Sequence, residues 1–347
     1  MTIIIGAGLS GLLVAYRLKQ AGKKVKIIEA RSRIGGRIHT LLSQGYTPVE
    51  MGATWLWNTN KNLIRLLKEL NLSVFEQYMN GPAYVQYFSN SPAQPVDIPP
   101  QEVSYRIVGG TTALIQKLAN VLTEEELILD EAVHSIDHKS DVLHIQTNTS
   151  SYLAEQVVLA LPPRLITGNI HFEPGLPEEI IEIAQNTHTW MEDSIKVALT
   201  YKEAFWRKRN LAGAVFSNSG PINEFYDQTN TEETTFALCG FMNSAYKTLT
   251  KAEREGKTRE QMTQVFGQEA ANYLSYEETV WANEIFTSPA SSSALFPHQN
   301  NGNPVYQKAL FNGKLFFCSA ECSPQTPGYM DGAVYMAEDV VKRMNNF

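Results

Sequence analysis

A glycine-rich turn near the start of the chain constrains the fold more than any other feature of the sequence. Residues 6–11 read Gly-Ala-Gly-Leu-Ser-Gly, between an apolar run at Thr2–Gly6 and helical spacing over Leu9–Ala21. A second apolar run, Lys24–Glu29, follows Gly22, a residue type that commonly ends helices. Strand, helix and strand in this order predict a β-α-β unit with parallel strands, and therefore an α/β fold.

The glycines and an acidic residue after the second strand favour a dinucleotide site. In such a motif Gly6 permits a tight turn, Gly8 lets the backbone approach a pyrophosphate, and Gly11 lets the helix pack closely on the strand. The N-terminus of the helix presents unpaired N–H groups and its positive dipole end to the phosphates. Glu29, eighteen residues after Gly11, can accept hydrogen bonds from both ribose hydroxyls, whereas it would repel a 2′-phosphate. The bare glycine pattern is common, so its context carries the prediction.

The rest of the chain alternates predicted helices, strands and two loops rich in Pro, Ser and Asn. Helices are predicted at Asn62–Leu72, within Val108–Leu122 after a turn at Gly109-Gly110, at Glu253–Tyr273 and at Asp331–Met344. Strands of an antiparallel layer are predicted at Leu127–Ile136, Val142–Thr147 and Tyr152–Leu161, and further strands at Met191–Tyr201 and Leu315–Ser319. The two loops are Ser89–Pro100 and Thr287–Pro304.

Length and charge limit the class of protein. A chain of 347 residues is long for one core and suits two interlocked domains. Its formal net charge of −7 argues against a nucleic-acid partner, since phosphate binding needs a clustered basic surface. No apolar run is long enough to cross a bilayer, so we expect no membrane anchor, and a first strand at Thr2 leaves no room for a leader peptide. Three cysteines (Cys239, Cys318 and Cys322) without metal-type spacing predict reduced thiols in a cytoplasmic protein.

The residues after the second strand extend the dinucleotide motif. Residues 29–37 read Glu-Ala-Arg-Ser-Arg-Ile-Gly-Gly-Arg, which resembles the FAD fingerprint E-A-R-x-R-x-G-G-R of the flavin amine oxidase superfamily. Its glycine pair permits a second close approach to the pyrophosphate, and Arg31 and Arg37 supply cationic donors. Other segments resemble the family in the same order, at Glu50–Trp55, Val108–Gly110, Val133 and Ile136, Leu159–Pro163, Phe316–Glu321 and Gly328–Ala333. The resemblance covers most of the chain and is closest to monoamine oxidase-like and polyamine oxidase-like proteins.

The resemblance implies two interleaved domains. One is a Rossmann-type FAD-binding domain with a parallel sheet and an antiparallel layer, which we expect over 1–75, 106–188 and 290–347. The other is an α+β substrate-binding domain, expected over 76–105 and 189–289. The span from Gly52 to Gly109 is much shorter than in monoamine oxidases, so the substrate domain should be shortened and its site more open or covered by the 287–304 loop.

The same resemblance implies which residues hold the cofactor and which act on the substrate. Lys196 aligns with the family lysine that holds a water against flavin N5; without the family, a lysine midway along an alternating strand would face solvent. Tyr329 matches one of two aromatic residues that sandwich the substrate amine. The counterpart of Glu321 bonds the FAD backbone, and the final helix points its N-terminus at the flavin N1–C2=O edge. The cofactor-binding residues predicted in this way are Gly6, Gly8, Ser10, Gly11, Glu29, Ala30, Arg31, Gly35, Gly36, Arg37, Gly52, Ala53, Thr54, Val133, Glu321 and Met330.

Three positions depart from the family pattern. Ala290 stands where mitochondrial monoamine oxidases place the cysteine that bonds covalently to FAD, so we expect FAD to be held non-covalently. Ser291 replaces the second aromatic residue of the amine sandwich. Ser319 stands where a glycine is usual beside the FAD backbone.

These features favour an FAD-dependent amine oxidase. In such an enzyme a neutral amine gives up hydride to flavin N5, the resulting imine hydrolyses, and O2 reoxidises the flavin with release of hydrogen peroxide. Two other functions remain open, a C–C desaturase or dehydrogenase of the carotenoid or protoporphyrinogen type, and a flavin-binding protein without turnover. Lys196 and Tyr329 favour the amine oxidase, whereas the incomplete aromatic pair and the shortened substrate region keep the alternatives open. The sequence does not identify the amine, the electron acceptor or the oligomeric state.

Overall fold

The computed structural model describes residues 1–42, 48–88, 91–139, 141–288 and 295–345. Within these ranges the chain forms a five-stranded sheet, a four-stranded sheet, a seven-stranded sheet and two smaller ones. The predicted α/β class, with a parallel sheet and antiparallel layers, is confirmed.

The five-stranded sheet is wholly parallel and forms the centre of the part that the sequence predicts to bind a dinucleotide. Its strands lie in the order Leu127–Ile128, Val25–Ile28, Thr2–Ile5, Gln156–Leu159 and Leu315–Phe317. The central strand is buried along its whole length, as expected when both faces of a parallel sheet are covered. The first helix, Leu9–Gln20, packs against the last helix, Met330–Met344. The predicted β-α-β opening of the chain is therefore confirmed.

The four-stranded sheet shows where two strand predictions were wrong. Its strands lie in the order Ser151–Ala154, Val142–Thr147, Val133–Lys139 and His171–Glu173, and the last pair is parallel. The predicted strands Leu127–Ile136 and Tyr152–Leu161 each divide between this sheet and the parallel one. The first division falls at Asp130, whose φ of 57° places it in the left-handed region that aspartate tolerates.

The seven-stranded sheet comes from residues 83–96 and 195–280, both inside the segments predicted for the substrate-binding domain. Its order is Ser275–Val280, Ile195–Tyr201, Phe236–Met242, Ile222–Asp227, Val215–Ser217, Ala83–Gln86 and Gln94–Val96. Only the pair of Val215–Ser217 with Ala83–Gln86 is parallel among these described strands.

Two local predictions for this sheet need correction. The loop predicted at Ser89–Pro100 contains the strand Gln94–Val96, which tolerates Pro95 because it is an edge strand. The strand predicted from Met191 begins only at Ile195, since Met191 has a φ of 79° and residues 190–193 form a turn.

The remaining strands form two small sheets, and the helices connect or cover the larger ones. The two-stranded sheet pairs Thr40–Leu41 with Val49–Glu50, and the three-stranded sheet orders Leu56–Trp57, Ser104–Ile107 and Val74–Glu76. The other α-helices are Lys61–Glu69, Thr112–Ala119, Pro163–Asn169, Glu178–Gln185, Phe205–Lys208 and Lys251–Phe266. Short 3₁₀ helices occupy Ser244–Tyr246, Gln268–Ala271, Trp281–Asn283, Pro304–Gln307 and Ala320–Cys322.

The longest helix of the substrate side has clear local start and stop signals. Thr250 and Glu253 form a reciprocal capping box at its N-terminus. Gly267, with a φ of 88°, ends it at Phe266. The helix predicted to run to Tyr273 is therefore too long.

In the ranges that the structure describes, no helix has both the length and the apolarity needed to cross a membrane. All three cysteines are buried as free thiols.

Candidate active site

A cavity of about 770 Å³ extends from the carboxyl ends of the parallel strands to one face of the seven-stranded sheet. Ligands of open parallel sheets bind at this strand end, and the volume lies within the usual range of small-molecule sites. Ile5, Ile28 and Ala160, at or just after strand ends, line the first half, and Tyr226 and Phe241 line the second. The same space is thus reached from both predicted domains.

Two glycines of the turn have different surroundings: Gly8 borders open space, whereas Gly11 packs closely against the backbone. A Cβ added at Gly8 would meet no protein atom within 4 Å, and Gly8 has an ordinary φ of −76°, yet it lines the cavity. A Cβ at Gly11 would instead lie 2.1 Å from the carbonyl oxygen of Gly6. Gly8 is therefore free for the approach of a bound group, and Gly11, which does not line the cavity, fixes the helix against the strand.

The carboxylate of Glu29 is held by backbone donors at the cavity wall. Its Oε2 accepts from the N–H of Ala7 at 2.7 Å, and its Oε1 accepts from the N–H of Arg31 at 3.0 Å. A carboxylate has about four acceptor sites. Glu29 therefore keeps capacity for the ribose hydroxyls predicted to bind there.

The two predicted pyrophosphate donors make protein contacts that the sequence did not indicate. The Arg31 guanidinium donates to Glu284 Oε2 at 3.1 Å and to Thr287 Oγ1 at 2.8 Å. Arg37 forms a bidentate ion pair with Glu321 and donates to the carbonyl oxygen of Trp190 at 3.0 Å. Both arginines still line the cavity, so each ties a distant segment to the dinucleotide turn.

Glu321 lies behind the wall of the cavity. It is fully buried and does not line the cavity, although Ser319 and Ala320 beside it do. Burial alone would raise its pKa, but the charge and hydrogen bonds of Arg37 hold the pKa of Glu321 below its usual range. Glu321 reaches the cavity wall through Arg37, and its direct contact with the cofactor stays a prediction.

The other predicted cofactor residues surround the same cavity. Gly6, Ser10, Ala30, Gly35, Gly36, Gly52, Ala53, Thr54, Val133 and Met330 all line it. Gly8 pairs with Gly35 through an isolated parallel bridge, so the first glycine turn and the later glycine pair meet. The hydroxyl of Ser319, which stands in place of a glycine, contacts the Cys322 thiol at 3.3 Å.

Two helix N-termini open on the cavity. The first helix begins at Leu9 and the last at Met330, and both residues line it. Neither helix has a side-chain N-cap hydrogen bond, so their first N–H groups are free to meet acceptors on a ligand. Together with the open space at Gly8 and the capacity of Glu29, these termini fit a phosphate-containing dinucleotide.

An aromatic cluster of Trp190, His298 and Tyr329 borders the site. The Trp190 ring lies 4.7 Å from His298 and 5.2 Å from Tyr329, centroid to centroid. Trp190 and Tyr329 line the cavity, and Tyr329 is 39% exposed. Trp190 was not predicted as a site residue, because it forms no recognisable motif with its neighbours Thr189 and Met191. Ala290 and Ser291, the other positions predicted to matter here, lie outside the described residues.

Lys196 is fully buried, which excludes the solvent face that strand alternation alone would suggest, whereas its predicted role beside the flavin stays a prediction. One face of its strand packs on the core around Val197 and Leu199, and the other is covered by Val49 and Met51. Its ammonium donates to Thr54 Oγ1 at 3.0 Å and lies 4.4 Å from the ring centroids of both Trp55 and Phe241.

Lys196 lies one layer behind the cavity wall. Thr54, Trp55 and Phe241 line the cavity, whereas Lys196 itself does not. Burial lowers the pKa of the Lys196 ammonium, although Cys239, Glu50 and Glu224 oppose this shift. The two aromatic faces also favour the cation. The described residues contain no cluster of His, Cys, Asp and Glu suited to a metal ion.

Comparison with known proteins places this geometry in one family. The family described as flavin containing amine oxidoreductase matches residues 9–105 and 100–345. The flavin-containing amine oxidase A of Sus scrofa is 26% identical, with 99% of this chain and 84% of that protein covered. A probable flavin-containing monoamine oxidase A of Dictyostelium discoideum is 24% identical, with 99% of this chain and 97% of that protein covered.

Solved structures share the fold over the full chain. A putrescine oxidase bound to putrescine superposes with a TM-score of 0.85 at 21% identity, covering 100% of this chain and 99% of that chain. The cyclohexylamine oxidase of Brevibacterium oxydans superposes with a TM-score of 0.85 at 20% identity, covering 99% of this chain and 98% of that chain.

An added methyl group should have different effects at Gly8 and Gly11. Gly11→Ala should lower the free energy of unfolding of the cofactor-free protein by about 1–3 kcal/mol, the usual cost of overpacking. Gly8→Ala should leave that free energy within about 0.5 kcal/mol of the wild type but weaken flavin binding at least tenfold. Urea unfolding and flavin titration measure the two quantities. Gly256→Ala is the matched control, since Gly256 is an exposed helix residue with open space at its Cβ. A Gly8→Ala variant with unaltered flavin affinity would contradict the assignment.

Proposed function

Because this chain belongs to the family of flavin-containing amine oxidoreductases, we propose that it is an FAD-dependent amine oxidase that yields an imine and hydrogen peroxide. The observation that carries the proposal is one continuous cavity, which joins the glycine turn at Gly8 to the wall in front of Lys196. Bound flavin supplies the redox chemistry, by accepting a hydride from the carbon next to a neutral amine nitrogen.

The choice of FAD among flavins rests on the far end of the cavity. Glu29 provides carboxylate acceptors for a ribose, and Val133 provides backbone beside an adenine. Arg31, Arg37 and the N-terminus of the first helix line the same cavity and supply positive charge to it. A flavin without an adenine nucleotide would leave the Glu29 end without a partner.

The residues near the last helix are proposed to stabilise negative charge and position the amine. The free N–H groups at Met330 favour anionic character on a neighbouring group. Arg37 is held in place by Glu321 and by the carbonyl of Trp190, so its charge is fixed before any ligand binds. Tyr329 and Trp190, which both line the cavity, are proposed to offer aromatic surface to the amine.

Lys196 is proposed to hold a proton and a positive charge behind Thr54. Reduction of oxygen produces anions, and a nearby cation in a site of low polarity lowers the barrier to their formation. Lys196 is placed to exert this effect through the Thr54 hydroxyl, which forms part of the cavity wall. Hydride transfer from a neutral amine also leaves negative charge on the acceptor, but this charge is proposed to be stabilised by the free N–H groups at Met330, so flavin reduction should depend less on Lys196.

FAD should be retained without a covalent bond. Ala290 offers no sulfur nucleophile, and the Cys318 and Cys322 thiols are fully buried, with pKa values raised by burial. Acid precipitation of the purified protein is therefore expected to leave FAD in the supernatant, identified by its chromatographic retention. Flavin that stays with the pellet would refute non-covalent binding, and release of FMN would refute the choice of FAD.

Amine oxidation should depend on the protonation state of the substrate. An ammonium group has no lone pair to assist loss of hydride, so flavin reduction should accelerate as pH rises through the pKa of the amine. The test measures carbonyl product and peroxide with a panel of amines over a pH series. Reduction of the flavin by hydrocarbon substrates only, without this increase in rate with pH, would favour a desaturase. Absence of turnover with all substrates would favour a flavin-binding protein.

Lys196→Met should separate the two half-reactions. We expect anaerobic flavin reduction by an amine to change little and the reaction with oxygen to slow by at least tenfold, the effect of one lost electrostatic contact. Because burial lowers the Lys196 pKa, the oxygen reaction of the wild type should also slow as pH rises, with a midpoint below the ordinary lysine value of 10.5. Stopped-flow absorbance measures both rates.

The control for Lys196→Met is its stability. Methionine avoids the cost of burying an ammonium, so the melting temperature should not fall. Lys196→Arg should restore the oxygen reaction only in part, since a planar guanidinium does not fit the contact with Thr54. Unchanged rates in both half-reactions of Lys196→Met would remove the proposed role of this lysine.

A further inference from the structure

A short segment beside the aromatic cluster has an uncommon backbone conformation. His298 and Asn300 have φ values of 61° and 55°, in the left-handed region, and Gly302 follows with 74°. Such values are uncommon for residues other than glycine, although histidine and asparagine adopt them more often than most. A conformation of this kind persists where the surrounding structure fixes it. Residues 298–302 are called the strap below.

Hydrogen bonds hold the strap against two neighbouring segments. The backbone N–H of His188 donates to the carbonyl oxygen of Gln299 at 3.0 Å. At the other end of the strap, the N–H of Gly302 donates to the carbonyl oxygen of Glu321 at 2.7 Å. The strap is therefore tied both to the segment that leads into Trp190 and to the buried turn at Glu321.

This anchoring places the His298 ring against Trp190 from outside the cavity. The two rings are nearly parallel, with an interplanar angle of 22° and centroids 4.7 Å apart. His298 also stacks on Tyr329, with an interplanar angle of 23° and centroids 6.0 Å apart. His298 is exposed and does not line the cavity, whereas Trp190 and Tyr329 do. The His298 ring therefore supports the aromatic surface of the site without reaching into it.

The backbone of Trp190 and its ring are held by different groups. The Trp190 N–H donates to Glu321 Oε1 at 3.2 Å, and the Trp190 carbonyl accepts from Arg37 at 3.0 Å. These bonds do not restrict the two side-chain torsions of the tryptophan. Among the described residues, His298 makes the closest ring contact of Trp190. One aromatic pair shifts a conformational equilibrium about two- to tenfold.

We propose that His298 is a positioning residue for the amine site, because its ring holds Trp190 in the orientation that presents an aromatic face to the cavity. This inference rests on the proposed amine oxidase function, in which Trp190 and Tyr329 bind the amine. Aromatic faces attract the positive charge of an ammonium group. His298 itself does not touch the substrate and takes no part in hydride transfer.

Two substitutions at position 298 separate the effect of the ring from that of the backbone. Asparagine tolerates the left-handed region as histidine does, so His298→Asn removes the ring and keeps the backbone preference. His298→Phe restores a planar ring that stacks. Because His298 is exposed, both variants should fold. His171→Asn is the matched control, since it makes the same change at an exposed histidine of the four-stranded sheet.

The first test follows the Trp190 ring in the flavoprotein. The difference in fluorescence between each protein and its Trp190→Phe counterpart isolates Trp190 from the other tryptophans. In His298→Asn, acrylamide should quench this emission with a constant at least twofold above the wild-type value, because the released ring becomes more accessible. His298→Phe and His171→Asn should give the wild-type constant.

The second test measures the aromatic surface without oxidation. Benzyltrimethylammonium binds to aromatic faces through its charge, and its nitrogen has no lone pair to assist loss of hydride. Calorimetry should show that His298→Asn weakens its binding about two- to tenfold, whereas His298→Phe and His171→Asn stay within twofold of the wild type. With the amines that the enzyme oxidises, His298→Asn should raise KM by a similar factor and change kcat less.

The two measurements separate this proposal from the proposed function. Failure of the wild type to bind the quaternary cation, equal affinities of the wild type and His298→Asn, or equal losses in both His298 variants would overturn the role of His298. An unchanged quenching constant in His298→Asn would do the same. The expected pattern of quenching and binding without oxidation of any amine would support the role of His298 and contradict the oxidase function.

Discussion

The structure depends on the close contact between the first helix and the first strand at Gly11. A Cβ at this position would lie 2.1 Å from the Gly6 carbonyl oxygen, so only glycine allows the helix to begin where it does. That placement directs the helix N-terminus toward the carboxyl edge of the parallel sheet. The last helix packs against the first, and its own N-terminus opens on the same cavity. The close packing at Gly11 therefore determines where the site can bind negative charge.

Two long-range ion pairs connect that centre to the rest of the chain. Arg31 reaches Glu284, and Arg37 reaches Glu321 while also bonding the carbonyl of Trp190. Arginines that the fingerprint assigns to phosphates thus also fix the segments that border the substrate half. On the other side of the cavity, the buried Lys196 is matched to Thr54 and two aromatic rings. Charge is placed in both halves before any ligand enters, which is the arrangement that electrostatic stabilisation requires.

The dinucleotide half was predictable because its determinants are local. Gly6, Gly8, Gly11 and Glu29 lie within a short stretch, and their spacing reflects the geometry of a single β-α-β unit. The boundaries of elements were less accurate, as at Gly267, where one residue in the left-handed region ended a helix that the polar pattern continued.

The substrate half depends on pairings that the sequence does not display. Alternation along its strand alone would place Lys196 on a solvent face, and only the resemblance to the family favoured a role in the site. In the structure a second layer at Val49 and Met51 covers that face. In the strand Ile222–Asp227, a β-bulge at Asn223 decides which face of the sheet Glu224 occupies. The alternation of apolar and polar residues in this strand does not predict the bulge. Arg31 and Glu284 are 253 residues apart, so their contact emerges only with the tertiary fold.

Both halves of the cavity are proposed to serve one reaction, in which an amine gives its electrons to the bound flavin. The most direct measurement is an anaerobic titration of the purified flavoprotein with amines, followed by the absorbance of the flavin. An amine should bleach the flavin with one molecule consumed per flavin, and admitting oxygen should restore the absorbance. A flavin that stays oxidised with all mono- and diamines, or amine consumption without any change in the flavin, would contradict it.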